Sequence, residues 1–195
     1  MRTATWAVAA LAVGLCVSCG GRVQPQPTDQ TQAAPVPALP KNVMYARCNV
    51  HTEDGVAWWV NYLRGPIVKF NTAIEVLDAK RDEVEFRLVD GGAELHFAND
   101  EAKSGQATWT LFTRLFAAED QAPRLARLSA DDRRRVAAAE VTQGMTKAAV
   151  EMALCPPPPH ATASLDASSW IYWTSSVNRQ KVVFTDDGYV SRVEQ

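Results

Sequence analysis

Four cysteines and three histidines are the side chains best suited to chemistry in this 195-residue chain: Cys16, Cys19, Cys48 and Cys155, with His51, His96 and His160. A thiolate beside an imidazole is a nucleophile with its base, and the same groups can hold zinc. Their spacing supports neither use. There is no CxxC, no paired Cys/His ligand spacing, no HExxH, no GxSxG and no glycine-rich phosphate loop. The paired carboxylates Asp131–Asp132 and Asp186–Asp187 are explained by a helix start and a turn. His51 and His96 fall on candidate strands without a partner motif, which suits a structural role. We therefore expect no catalytic residue, no metal, no cofactor and no small-molecule substrate, and a protein that is not an enzyme.

Cys19 has a different chemistry. The chain opens "MRTATWAVAALAVGLCVSCGG", with Arg2, an apolar run from Ala4 to Val17, then Ser18 and Cys19. A basic start, a short apolar core and small residues describe an export signal. The run is short for a bilayer, which takes roughly 20 apolar residues. Val17-Ser18-Cys19 resembles a bacterial lipoprotein signal, although Cys16 stands where that pattern prefers an aliphatic residue. The resemblance implies a signal peptide over 1–18, removed to leave Cys19 as an N-terminus carrying palmitate-type acyl chains. The alternative is an ordinary signal cut near Gly20. Gly20, in place of Asp after the cysteine, leans toward the outer membrane.

Residues 19–42 are rich in Pro, Gln, Ala and Thr and too poor in apolar side chains to collapse, so they read as an extended tether. Loss of Arg2 with the signal takes the net charge from −2 to −3. With no basic stripe, nucleic acid is not an expected partner. Export leaves Cys48 and Cys155 in an oxidising compartment, where a pair can bond; two separate buried thiols are the other possibility.

The rest of the chain must position whatever the protein presents. Residues 43–127 consist of short β-branched and aromatic runs separated by turns. Strands are expected at 44–50, at 56–62, around Ile74 and Val76, over Val84, Phe86 and Leu88, and at Leu95 and Phe97 after the turn "DGG". Their number and spacing suggest a small curled sheet or barrel, SH3-like by analogy. Trp58 and Trp59 on one strand would face opposite sides, one to the core and one covered by the rest of the chain. Trp109, Leu111, Phe112, Leu115 and Phe116 form the stripe of an amphipathic helix within 107–120.

Residues 128–195 begin with two helices. Ser129 caps the first, and Gly144 is expected to close it. Thr146 caps the second, Met145 and Val150 staple its entry, and the prolines 156–159 stop it. Three strands follow: "SWIYW", with Trp170 and Tyr172 on one face, then "KVVFT" and "YVSRV" joined by the turn "DDG". The order is ααβββ, two helices on one face of an antiparallel sheet.

"GMTKAAVEMALCPPP", then "WIYW", then "KVVFTDDGYV" resemble the SmpA/OmlA (BamE-like) domain. Gly144, Met145, Thr146, Val150, Leu154, Pro157, Trp170, Tyr172, Phe184 and Gly188 match its pattern, mostly as structural positions. The resemblance covers 128–195 and implies an α+β protein: a small β-rich module over 43–127, then a BamE-like two-layer domain. It also implies a non-enzymatic lipoprotein of the outer membrane, facing the periplasm. Such a protein would be a scaffold or accessory factor in envelope or β-barrel protein assembly. Its partners would be the membrane, through the lipid, and envelope proteins. Residues 43–127 have no counterpart in the small assembly factor itself. The same two-helix, three-strand unit also builds secreted β-lactamase inhibitors, so an inhibitor-like binding module is the alternative. Cys155 departs from the family, which prefers Gly at a helix end of positive φ. A Cys48–Cys155 bond would offset that conformational cost and tie the two parts together.

Overall fold

The period-two run around Phe86 builds the strand that its pattern requires. In the computed structural model, which describes residues 43–195, Val84 and Phe86 are buried and Glu83, Glu85 and Arg87 stay half-exposed. Eleven strands and five helices are seen among the described residues. The strands are β1 (Met44–Ala46), β2 (Val50–His51), β3 (Val56–Trp58), β4 (Ile67–Val68), β5 (Ala73–Ala79), β6 (Glu83–Leu88), β7 (Glu94–Ala98), β8 (Phe116–Ala117), β9 (Ser169–Trp173), β10 (Arg179–Phe184) and β11 (Val190–Glu194). The helices are α1 (Glu101–Ser104), α2 (Thr108–Leu115), α3 (Ala122–Ala126), α4 (Ala130–Ala138) and α5 (Lys147–Leu154). The fold is mixed α+β. Cys19 and residues 1–42, where a signal segment and a tether are expected, lie outside the described residues.

A curled six-stranded sheet runs in the order β3-β7-β6-β5-β1-β8. Its pairs are antiparallel except β3 with β7. A bulge in β5 between Val76 and Asp78 adds local twist. Helix α2 covers the sheet's apolar face. The Phe112 ring is the hub, 4.6 Å from Phe116, 5.4 Å from Trp109, 5.7 Å from Phe97 and 5.9 Å from Phe86. The expected helical stripe stops at Leu115, because Phe116 turns out to pair with Ala46 as strand β8. Phe116 still enters the same core, now from an extended backbone.

The early strands are shorter than the sequence suggests. The run 44–50 splits into β1 and β2 around Cys48, and 56–62 is extended only to Trp58. The break at Asn61 has a cause: that residue takes φ 45°, which extended backbone does not allow. Contrary to the expectation of one core and one covered tryptophan, Trp58 is exposed and Trp59 is only half-buried against the first core.

The second core joins α4 and α5 to the sheet β11-β10-β9. Trp170 meets Phe184 edge-on at 4.8 Å, and Val136, Met145, Ala149, Val150, Val182 and Val190 close round them. Ser129 caps α4 as expected, accepting from the Asp132 N–H. The helix does not run on to Gly144. It ends at Ala139 in a left-handed conformation, φ 56°. The chain leaves there because 144–145 is needed elsewhere: the Gly144 N–H donates to Val190 O, and the Val190 N–H to Met145 O. Gly144 takes φ 87° within that ladder, a conformation in which only glycine is cheap.

Candidate functional site

The prolines at 156–159 pose a problem that the structure solves. A helix leaves its last carbonyls without partners, and the residues that follow usually supply N–H groups. Four prolines supply none. The orphans are the carbonyls of Met152, Ala153, Leu154 and Cys155. Each has a donor from elsewhere in the chain. The Asn49 N–H reaches Met152 O at 3.1 Å, and Asn49 Nδ2 reaches Ala153 O at 3.2 Å. Asn61 Nδ2 reaches Leu154 O at 2.9 Å, and the Tyr172 hydroxyl reaches Cys155 O at 3.0 Å. Burial pushes the Tyr172 phenol well above its ordinary pKa, so it stays a donor. Asn49 Nδ2 also donates to Val136 O at 2.7 Å, and its Oδ1 accepts from the Phe70 N–H at 2.9 Å. One asparagine of the β-rich part therefore binds both helices.

Beside this clamp Cys48 and Cys155 are joined by a disulfide, with a Cα–Cα distance of 4.9 Å. Both are fully buried in the first core. Cys155 sits at φ 67°, ψ 170°, a region that belongs essentially to glycine. With both sulfurs bonded, neither is a thiolate nucleophile. The proline run is not free to serve as a ligand for another domain. Pro157 and Pro158 are buried, and Arg114 Nη2 donates to Pro157 O at 3.4 Å.

The family-pattern residues divide between this helix and the sheet facing it. Thr146 caps α5, accepting from the Ala149 N–H at 3.2 Å and donating to the buried Asp132 carboxylate at 3.2 Å. Met145, Val150, Leu154, Trp170, Tyr172 and Phe184 are core. Gly188 turns the β10–β11 hairpin at φ 79°. Replacing Thr146 by alanine removes the cap and a partner of Asp132. The expected loss is about 1–2 kcal/mol, read as a lower urea midpoint with an unchanged m-value. Serine at 146 should recover most of it.

What the C-terminal sheet presents outward is a separate surface. Trp173 pairs with Arg179, Ile171 with Lys181, Lys181 with Glu194 and Val183 with Arg192. Directly opposite residues share a face, so these seven side chains lie on the face away from Trp170 and Val182. None of them is fully buried. The Arg179 guanidinium lies over the Trp173 ring at 4.4 Å. The His160 ring lies parallel to Trp173 at 6.1 Å and tilted against Trp59 at 4.8 Å. Burial and the Arg179 charge hold the His160 imidazole below its ordinary pKa. Glu194 answers Lys181 at 3.3 Å and Arg192 at 2.6 Å, and these cations hold its carboxyl below the usual range. Two of the three cations on this face, Lys181 and Arg192, share the Glu194 carboxylate, and Arg179 lies on the Trp173 ring instead.

Some of the remaining polar groups are matched and some are not: His51 Nε2, Asn99 Oδ1 and Thr142 Oγ1 are buried without a hydrogen-bond partner among the described residues. The His51 Nδ1–H donates to Arg64 O at 3.2 Å, and burial lowers the imidazole pKa. Glu83, Glu85 and His96 have metal-ligand types in reach of one another, but Lys80 already lies among them, bonded to Glu85 and 3.7 Å from Glu83. Sequence reading did not find Asn49, Asn61 or Arg114. The four prolines show that outside donors are needed, but nothing local says which residues provide them. No family model, curated protein or solved structure matches this chain.

Proposed function

We propose that the chain is a non-enzymatic lipoprotein of the outer membrane. Acylated Cys19 holds it there, facing the periplasm, as a scaffold or accessory factor in envelope or β-barrel protein assembly. In this reading the C-terminal layer is BamE-like and the curled sheet is an SH3-like companion. The observation that carries it is the outward face of β9–β11. A tryptophan–arginine stack and two further cations stand among the half-buried Ile171 and Val183. Arginine and tryptophan anchors beside apolar side chains are the composition of protein contacts. The buried disulfide suits an oxidising compartment.

The test is site-specific photocrosslinking in cells from position 181 or 192. Capture of one envelope protein, lost when Arg179→Glu is introduced, supports the reading. Absence of any capture, or turnover of a small molecule by purified protein, removes it. Palmitate labelling tests the anchor separately, because a Cys19→Ser form that still takes up lipid would overturn it.

A further inference from the structure

The face of the six-stranded sheet turned away from α2 carries a mixed cluster of carboxylates and one imidazole. Glu85 of β6 lies directly opposite His96 of β7 on one side and Asp78 of β5 on the other. Glu83 is two residues along β6, on the same face. One ligand atom from each of Glu83, Glu85 and His96 lies within 4.8 Å of the other two. Glu83 Oε1 is 3.3 Å from His96 Nδ1. Two ligands on one tetrahedral zinc stand about 3.4 Å apart when the bonds are about 2.0–2.2 Å. Glu83 and His96 already have that spacing, and Glu85 has a flexible side chain with which to complete the set.

Three observations set this cluster apart from an ordinary row of surface acids. His96 Nδ1 is shielded from water and makes no hydrogen bond among the described residues, although Glu83 is beside it. A nitrogen in that state has a lone pair to give. The charge is also unbalanced. Asp78, Glu83 and Glu85 surround a single ammonium, Lys80, which is bonded to Glu85, 3.6 Å from Asp78 and 3.7 Å from Glu83. Arg81 and Arg87, the next cations along the chain, pair elsewhere, with Glu101 and Glu75. Three carboxylates against one ammonium leave two negative charges over. Finally, the cation now present is loosely held, because the Lys80 side chain is half-exposed and exposed ion pairs are weak. With Lys80 swung into solvent, an ion seated on Glu83 is already beside His96 Nδ1.

We propose that Glu83, Glu85 and His96 form a binding site for a divalent cation of the zinc type, which takes the place of the Lys80 ammonium. Water fills the remaining position, and Asp78 is the neighbouring carboxylate. The donor set decides the class of ion. Oxygen ligands alone suit Mg²⁺ or Ca²⁺, whereas an imidazole among them suits Zn²⁺ and its neighbours in the series. Ligand spacing along the chain does not show this set, because only the pairing of β6 with β7 brings His96 to Glu83 and Glu85. The site lies on a different sheet from the outward face of β9–β11, so it stands or falls independently of the proposed function.

The experiment is calorimetric titration of Zn²⁺ into the purified full chain in detergent, without a histidine tag and at neutral pH. One ion per chain should bind. His96→Gln should weaken that binding by about tenfold or more, about 1.4 kcal/mol. Lys80→Met removes the competing charge and should tighten it. Mg²⁺ and Ca²⁺ at the same concentration should not displace the zinc. Binding should also weaken as the pH falls through the imidazole range, since the ligand is the neutral ring. These side chains lie on a half-exposed sheet face, so the variants should keep the fold, and an unchanged urea midpoint without metal checks it. No heat of binding with zinc in excess overturns the proposal. So does zinc that Ca²⁺ displaces, that His96→Gln leaves in place, or that Lys80→Met weakens.

Discussion

A Cys48→Ala/Cys155→Ala variant is expected to lose about 4 kcal/mol of stability, because the bond closes a loop with a sequence separation of 107 residues. A crosslink over about 100 residues removes about 4.7 kcal/mol of chain entropy from the unfolded state, and measured values tend to fall somewhat below that. Each sulfur is also fully buried in the first core, so truncation adds a packing loss. The measurement is urea unfolding of the oxidised wild type against the variant, with the m-value rising as the unfolded chain expands. A variant within about 1 kcal/mol of wild type would show that the bond does little of the holding.

A second substitution separates crosslink from backbone. Cys155 takes φ 67°, ψ 170° in the bonded protein, and a substitute held in place by the surrounding fold inherits that backbone. Alanine keeps that strain and glycine relieves it, by about 1–3 kcal/mol. Cys48→Ala/Cys155→Gly should therefore be the more stable of the two unbonded proteins. The reverse order would mean that residue 155 relaxes to another conformation once it is released.

How far the sequence reveals this molecule depends on how local each cause is. Ser129 and Thr146 are caps because a hydroxyl needs to reach only three residues along the chain. The "DDG" turn and the alternation through Phe86 are likewise settled within a few residues. Ala139 could not be foreseen as a helix end, since nothing in its neighbours forbids another turn. The ladder from Gly144 and Met145 to Val190 calls the chain away, and its partner lies some 45 positions later. Phe116 was hidden for the same reason: its spacing from Trp109 and Phe112 is helical, but Ala46 offers it a strand. The outward row of Arg179, Lys181 and Arg192 is visible as charge in the sequence, and only the register of β9–β11 makes it one face.

Asn49→Ala should be comparably damaging although it deletes no apolar surface. The side chain is 1 % exposed and makes three hydrogen bonds, to Val136 O, Ala153 O and the Phe70 N–H. Alanine leaves Ala153 O and the part-buried Phe70 N–H without partners, while Val136 O keeps the Ala139 N–H. At about 1–3 kcal/mol for each of the two orphans, partly relieved by entering water, the expected cost is about 2–4 kcal/mol. The prolines make the loss hard to repair, since no downstream N–H can turn back to Ala153 O. Asn49→Asp is the informative companion. It keeps size and the Phe70 bond, removes the two donated bonds, and faces two carbonyl oxygens with a charge. It should be at least as destabilising as alanine, and more so as pH rises through the carboxylate range. Asn61 offers a milder version of the experiment. Its Nδ2 serves only Leu154 O, its Oδ1 accepts from the His51 N–H, and its φ of 45° suits glycine better than alanine. Asn61→Gly thus reports the two hydrogen bonds with little backbone penalty, and Asn61→Ala reports both terms together. If Asn49→Ala unfolds at the wild-type urea midpoint, the helix end finds its donors elsewhere and the asparagine clamp is not what joins α5 to the β-rich part. If instead both asparagine variants broaden the transition or split it in two, the clamp is what makes the two cores unfold as one.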